Sequence, residues 1–158
     1  MIFFLNRKVE QVIAGYLGKT LPGTMKVYRA MDLTPRQFPC AVVRCPKSMR
    51  FAGELHACQK FEVSIFVLTE MCKEINPSAQ VLKEYEEIQE QVVSATMQAL
   101  YIEDLKNQLE AIKIDGISIS YAEIGDSEEN PVLADCDEEN GVGIVLIPLK
   151  IHAGAKEI

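Results

Sequence analysis

Between Asp126 and Gly143 the chain reads DSEENPVLADCDEENGVG, seven carboxylates with no Lys or Arg among them. Carboxylates at that density suit a divalent cation, and Asp135, Asp137 and Glu139 stand at alternate positions, like the first three ligands of an EF-hand loop. The match ends there. Such a loop needs Gly at its sixth position and a bidentate Glu at its twelfth, whereas this chain has Asn140 and Leu146, flanked by strand-like sequence. A solvated turn closed by Asn140-Gly141, a pair that tolerates positive φ, accounts for the same residues. No metal or other cofactor is expected.

Other constellations fare no better. A zinc site would draw on Cys40, Cys45, His56 and Cys58, but no CxxC knuckle occurs, and on one strand Cys40 and Cys45 would point to opposite faces. Cys40, Cys45 and Cys72 suit small apolar positions near a core, while Cys136 lies among carboxylates that disfavour its thiolate. Gly18-Lys19-Thr20 matches the last three residues of a phosphate-binding loop, yet Ile13 stands where that loop needs its first Gly, and Gly18 follows a helical pattern. Neither of the two histidines, His56 and His152, has a nucleophile setting around it. No catalytic residues are assigned, and the chain is not expected to be an enzyme.

The elements around the acidic stretch are legible from periodicity. Leu5, Val9, Val12, Ile13, Tyr16 and Leu17 recur at helical spacing, which predicts a helix over about residues 3–17, stopped by Gly18 and Pro22-Gly23. MKVYRAM reads as a short strand, and the prolines of DLTPRQFP exclude a central strand there. CAVVRC is a second strand. In KFEVSIFVLTE, Phe61, Val63, Ile65 and Val67 share one face and Glu62, Ser64, Phe66 and Leu68 the other. Asn76-Pro77 offers a cap and a first-turn proline to a long helix over about residues 77–100, with Val81, Leu82, Tyr85, Ile88, Val92, Ala95 and Ala99 as its apolar stripe. IEDLKNQLEAI suggests a further helical turn. DGISISYAEI and GIVLIPLKIHA then form a closing hairpin, with the acidic stretch of about 18 residues as its tip. Strands in runs rather than in alternation with helices predict an α+β fold: a mostly antiparallel sheet packed with the N-terminal helix and one long central helix.

Composition bounds the function. With 158 residues, 48% of them hydrophobic, the chain can bury a sizeable core, and a single domain over 1–158 is expected. A net charge of −7 disfavours a protein that holds nucleic acid through its phosphates, although an acidic wall past which DNA slides is compatible with it. No run nears the ~18 apolar residues of a membrane span, and MIFFL lacks the basic region and cleavage site of a secretory signal, so a soluble intracellular protein is expected. Five irregularly spaced cysteines predict free thiols.

What the sequence offers is contact surface. Phe66 and Leu68 make the second face of their strand apolar, to be covered by a helix or by another subunit. Arg36, Lys47 and Arg50 lie in two loops of a chain whose other end is acidic, so basic loops of one copy can meet the acidic stretch of the next, a head-to-tail contact of the kind that closes into rings. Pairing within one chain would serve those charges equally well.

The order of an N-terminal amphipathic helix, strands CAVVRC and KFEVSIFVLTE, the helix NPSAQVLKEYEEIQEQVVSATMQAL, and a hairpin from DGISISYAEIG to GIVLIPLKIHAG is similar to that of tail-terminator and neck (head-tail joining) proteins of long-tailed bacteriophages and their prophage remnants. The resemblance implies a non-catalytic virion protein, made in the bacterial cytoplasm, that forms a ring, commonly a hexamer. Such a ring ends the tail tube and docks to the head connector, with DNA passing through it. Tail-tube and head-connector proteins would be its partners, and the acidic stretch an insertion relative to the simplest members. Arg36, Arg50, Phe66, Asp135, Asp137, Glu138 and Glu139 are the expected contact residues. The alternative is a small ligand- or metal-binding α+β domain with the acidic stretch as lid or site.

Overall fold

The computed structural model describes residues 5–32, 34–45, 48–50, 59–101, 107, 117–124 and 133–155. The elements run α1 (Leu5–Thr20), β1 (Lys26–Arg29), β2 (Cys40–Arg44), β3 (Ser48–Arg50), β4 (Gln59–Glu70), α2 (Ala79–Tyr101), β5 (Ile117–Ile124), β6 (Leu133–Asp137) and β7 (Val142–Ala155). The expected α+β class holds: among the described residues two helices, α1 and α2, pack on a mostly antiparallel sheet whose main path is β1-β2-β4-β7-β5. Among the described strands only β1 and β2 pair in parallel. The Phe38-Pro39 peptide bond before β2 is cis.

Helix α1 continues past Gly18 to Thr20, three residues beyond the end expected from sequence. A helical Gly costs about 1 kcal/mol relative to Ala. Burying Leu17 and Leu21 on either side of it gains roughly 1.5–3 kcal/mol apiece. The longer helix therefore wins, and Leu21 N–H still donates to Leu17 O at 2.8 Å. Pro22 is the effective stop.

The start of α2 also differs from expectation. Asn76 is not the cap: it sits at φ 54°, a left-handed position that Asn tolerates. Ser78 caps instead, its Oγ accepting the Val81 N–H at 3.2 Å. The predicted turn at IEDLKNQLEAI lies almost wholly outside the described residues.

Long β4 and β7 form the spine of the sheet, paired from Gln59↔Ala153 to Glu70↔Val142. β2 and β3 share one flank of β4, and β5 and β6 share the far flank of β7. Three cross-strand rows consequently span five strands: Lys26–Cys40–Leu68–Ile144–Asp135, Val27–Ala41–Val67–Val145–Ala134, and Tyr28–Val42–Phe66–Leu146–Leu133. The middle row lies on the helix-covered face, where Val9, Ile13 and Leu17 of α1 and Ala99 and Leu100 of α2 close over Val43, Val63, Ile65, Ile147 and Leu149.

The acidic stretch is not one long tip. Leu133–Asp137 is a strand paired with Val142–Leu146, so the connection shrinks to Glu138–Gly141. The local pattern explains the difference: Leu133-Ala134 supply apolar positions that can join a sheet, and two aspartates fit an edge strand facing water. Residues 126–132 lie outside the described set.

Candidate assembly surfaces

Among the described residues, α1 and α2 cover one face of the sheet only. On the second face Phe66, Leu68, Ile144, Leu146 and Pro148 are half-buried. Phe66 lies on the face opposite Val63, Ile65 and Val67, as its alternation predicted, and the register places it between Val42 and Leu146. A shallow groove of about 170 Å³ runs past Glu62, Ser64, Leu146, Pro148 and Lys150 on this side. Apolar side chains also lie open elsewhere: Met31 is 72% exposed and Ile75 92%.

Arg36 belongs to the segment between β1 and β2, at one edge of the sheet. Its guanidinium carbon stands 5.9 Å from the Tyr28 ring centroid, a cation–π stack. Its Nε is buried and makes no hydrogen bond among the described residues. Tyr28 Oη accepts the Gln37 N–H at 3.0 Å, which ties the segment down. Hydrogen bonds from Thr34 to its carboxylate hold Asp32 below the ordinary carboxylate range, with Arg36 adding a smaller effect. Arg50 closes β3 opposite Gln59, and its side chain lies outside the described set, as do Lys47, His56 and Cys58.

The acidic residues occupy the other edge. Asp135 is exposed on β6, and its Oδ1 accepts the Cys136 N–H at 2.7 Å. Asp137 closes the turn: its carboxylate accepts the Asn140 side-chain N–H at 2.8 Å and backbone N–H at 3.2 Å. Those bonds lower its pKa. Glu138 and Glu139 are exposed at the tip, and Gly141 takes φ 67°, the left-handed conformation that favours glycine. Among the described residues no ion pair joins Arg36 to Asp135, Asp137, Glu138 or Glu139, and the sheet stands between them.

A groove of about 260 Å³ opens between the first half of α2 and the ends of β4, β6 and β7, lined by Thr69, Met71, Cys72, Leu82, Tyr85 and Asp135 among others. Leu82, counted in the apolar stripe, is 43% exposed here because the helix leaves the sheet towards its start. Gly143 permits the approach that remains, since a Cβ there would lie 2.9 Å from Gln89 Nε2 and 3.0 Å from Thr69 Oγ1. Among the described residues no group of three or more His, Cys, Asp or Glu could hold a metal ion, and no helix is long and apolar enough to cross a membrane.

Burial pushes the Cys40 thiol up to about 11 and, with help from the Glu10 carboxylate, the Cys45 thiol up to about 12. Glu10 was not legible as a key residue. It is 5% exposed, pairs with Arg29 Nε at 3.0 Å and accepts the Cys45 N–H at 2.8 Å, tying α1 to both β1 and the end of β2. A carboxylate directly after Val9 and three residues before Ile13 was the available signal. Lys26, at the level of Asp135 across the sheet, was also missed, because only the register brings those positions into one row.

The described residues therefore define an α+β protein with α1 and α2 on one side of a mostly antiparallel sheet and acidic residues exposed at its β6 edge. Among solved structures, the chain is similar to one titled "Virion of native gene transfer agent (GTA) particle", over 96% of this chain and 91% of that chain, at 10% identity and a TM-score of 0.35. A likeness of that size does not establish a shared fold. No protein-family model and no curated protein matches the sequence.

Proposed function

We propose that this chain is a structural subunit of a phage or prophage virion that assembles head-to-tail into a ring at the tail end or head-tail junction. One observation carries the reading: the exposed Lys26 and the half-buried Arg36, with Asp32 as the one acid of the segment between β1 and β2, lie at the β1 edge of the sheet, and Asp135, Asp137, Glu138 and Glu139 lie at the β6 edge. Opposite charges so placed are too far apart to neutralise each other within a chain, and they complement each other between copies related by rotation. The element order that resembles tail-terminator and neck proteins gives the reading its family, and the apolar second face around Phe66 gives it surface to bury. In this role the chain acts by shape. A ring that adds to the last layer of a tube and presents a different face stops polymerisation, and an acidic lumen would let DNA pass without trapping it.

Light scattering after size exclusion, over a range of protein concentrations and at two salt levels, tests this. A discrete species of several subunits that loosens at high salt is the expected result, with rings visible by negative-stain microscopy; a strict monomer throughout counts against it.

The second reading, a ligand- or metal-binding domain, rests on the groove beside Asp135. At about 260 Å³ it falls below the ~300–1,000 Å³ of typical small-molecule pockets. Its check is a thermal melt with millimolar calcium or another divalent cation, because a ligand specific to the folded state raises the transition temperature.

A further inference from the structure

We propose that the ring contact is a β-sheet continued from copy to copy, with β1 of one subunit adding antiparallel to β6 of the next. The inference rests on the head-to-tail reading and specifies its interface.

Among the described residues both strands are edges. Lys26 N–H and Ala30 N–H donate across to the β2 side, to Pro39 O and Val43 O, so by alternation the N–H and C=O of Val27 face away from β2. β6 pairs only with β7 among the described residues. Unpaired edges are templates for another strand, and these two are of similar length, Lys26–Arg29 and Leu133–Asp137.

Register carries the argument further. The same three rows that start in β1 end in β6. Closing a sheet into a ring repeats one register step at every contact, and the step of zero, in which each row meets itself in the neighbouring copy, is the one the side chains favour. The directions agree, because β1 and β6 run oppositely through those rows, as antiparallel pairing requires. The chemistry agrees at each position too. Lys26 would face Asp135, an exposed cation opposite an exposed anion; Val27 would face Ala134; and Tyr28 would face Leu133. No described partner pairs with the Lys26 ammonium, and the Asp135 carboxylate holds only a neighbouring backbone N–H. Within one chain the two edges lie four strand spacings apart, about 19 Å, so the pair forms only between copies.

Two sets of variants test the contact. Lys26→Glu and Asp135→Lys each place like charges face to face, and each should weaken assembly by about tenfold or more while the thermal transition of the subunit stays put. The Lys26→Glu/Asp135→Lys double variant should restore it. Independently, Val27→Cys with Ala134→Cys, in a Cys136→Ser background, should give a ladder of disulfide-linked multimers on oxidation, because opposed antiparallel positions fall within disulfide reach. Either single cysteine alone should not. Rings that form normally in the charge-reversed variants, with no ladder from the cysteine pair, would overturn the edge pairing and leave the ring reading standing. A wild-type chain that stays monomeric at every concentration, with no ladder, would overturn both.

Discussion

At the scale of residues, the four described thiols differ in burial, with Cys72 half-buried between two extremes. Cys40 and Cys45 are buried, with pKa values raised from 9.0 to about 11 and about 12, whereas Cys136 is exposed. Burial therefore sets the order of alkylation: Cys136 should react before Cys40 and Cys45, which should react only after unfolding, as peptide mass mapping would resolve. The same shifts give a pH dependence. A thiol whose folded pKa is raised contributes stability below its ordinary value and loses it above, so stability should fall as pH rises from about 9 towards 12. A urea midpoint that is flat over that range would contradict it. A second residue-scale prediction concerns the tie between α1 and the sheet. Arg29→Met leaves the Glu10 carboxylate, 7% exposed, without its cation. Because Arg29 is itself 38% exposed, the loss should be moderate, about 1–3 kcal/mol in urea unfolding, and Glu10→Gln added to it should recover part.

At the scale of elements, close approach and turn conformation make the test. Gly143→Ala would push a methyl against Gln89 and Thr69, where α2 crosses β7 and β4. Gln89 can swing aside but the Thr69 side chain, 3% exposed, has less room. A cost of about 1–2 kcal/mol is expected, read as a lowered thermal transition. Gly141→Ala should cost about 1 kcal/mol for its positive φ and leave α2 untouched. This contrast shows what the sequence could carry. Helices and long strands were legible because apolar spacing is a local signal: Val9, Ile13 and Leu17 repeat at helical intervals, and Val63, Ile65 and Val67 alternate. Strand β6 was not, since Asp135, Asp137 and Glu139 at alternate positions read equally as ligands, turn or edge strand, and the choice depends on pairing with Val142–Leu146. Ser78 as the true cap of α2 was hidden by the stronger Asn76-Pro77 signal. Among the candidate contact residues, Phe66 could be placed on its face from alternation alone. The juxtaposition of Lys26 with the level of Asp135 could not, because it is set by four successive strand registers separated by much of the chain.

At the scale of the whole molecule, the question is what the sheet face opposite α1 and α2 is for. Phe66, Leu68, Ile144, Leu146 and Pro148 form neighbouring positions on β4 and β7, and scattered apolar exposure needs no explanation whereas a contiguous patch does. If the face is only the solvent side of a monomer, replacing its half-buried central aromatic with a charged residue loses cross-strand packing, about 1–2 kcal/mol of subunit stability, and leaves association unchanged. If subunits bury it, the same replacement also puts a charge into an apolar contact, and affinity should respond. Phe66→Asp separates the two cases. The expected result under the ring reading is a shift of the assembly midpoint to at least tenfold higher protein concentration in sedimentation, with the far-ultraviolet circular dichroism spectrum unchanged. Lys26→Glu makes a useful partner to it. If edge and face belong to one continuous interface, the effects of Phe66→Asp and Lys26→Glu should fall short of additive in the double variant; if the face meets a different protein of the particle, Phe66→Asp should leave self-assembly intact and the two effects should not interact.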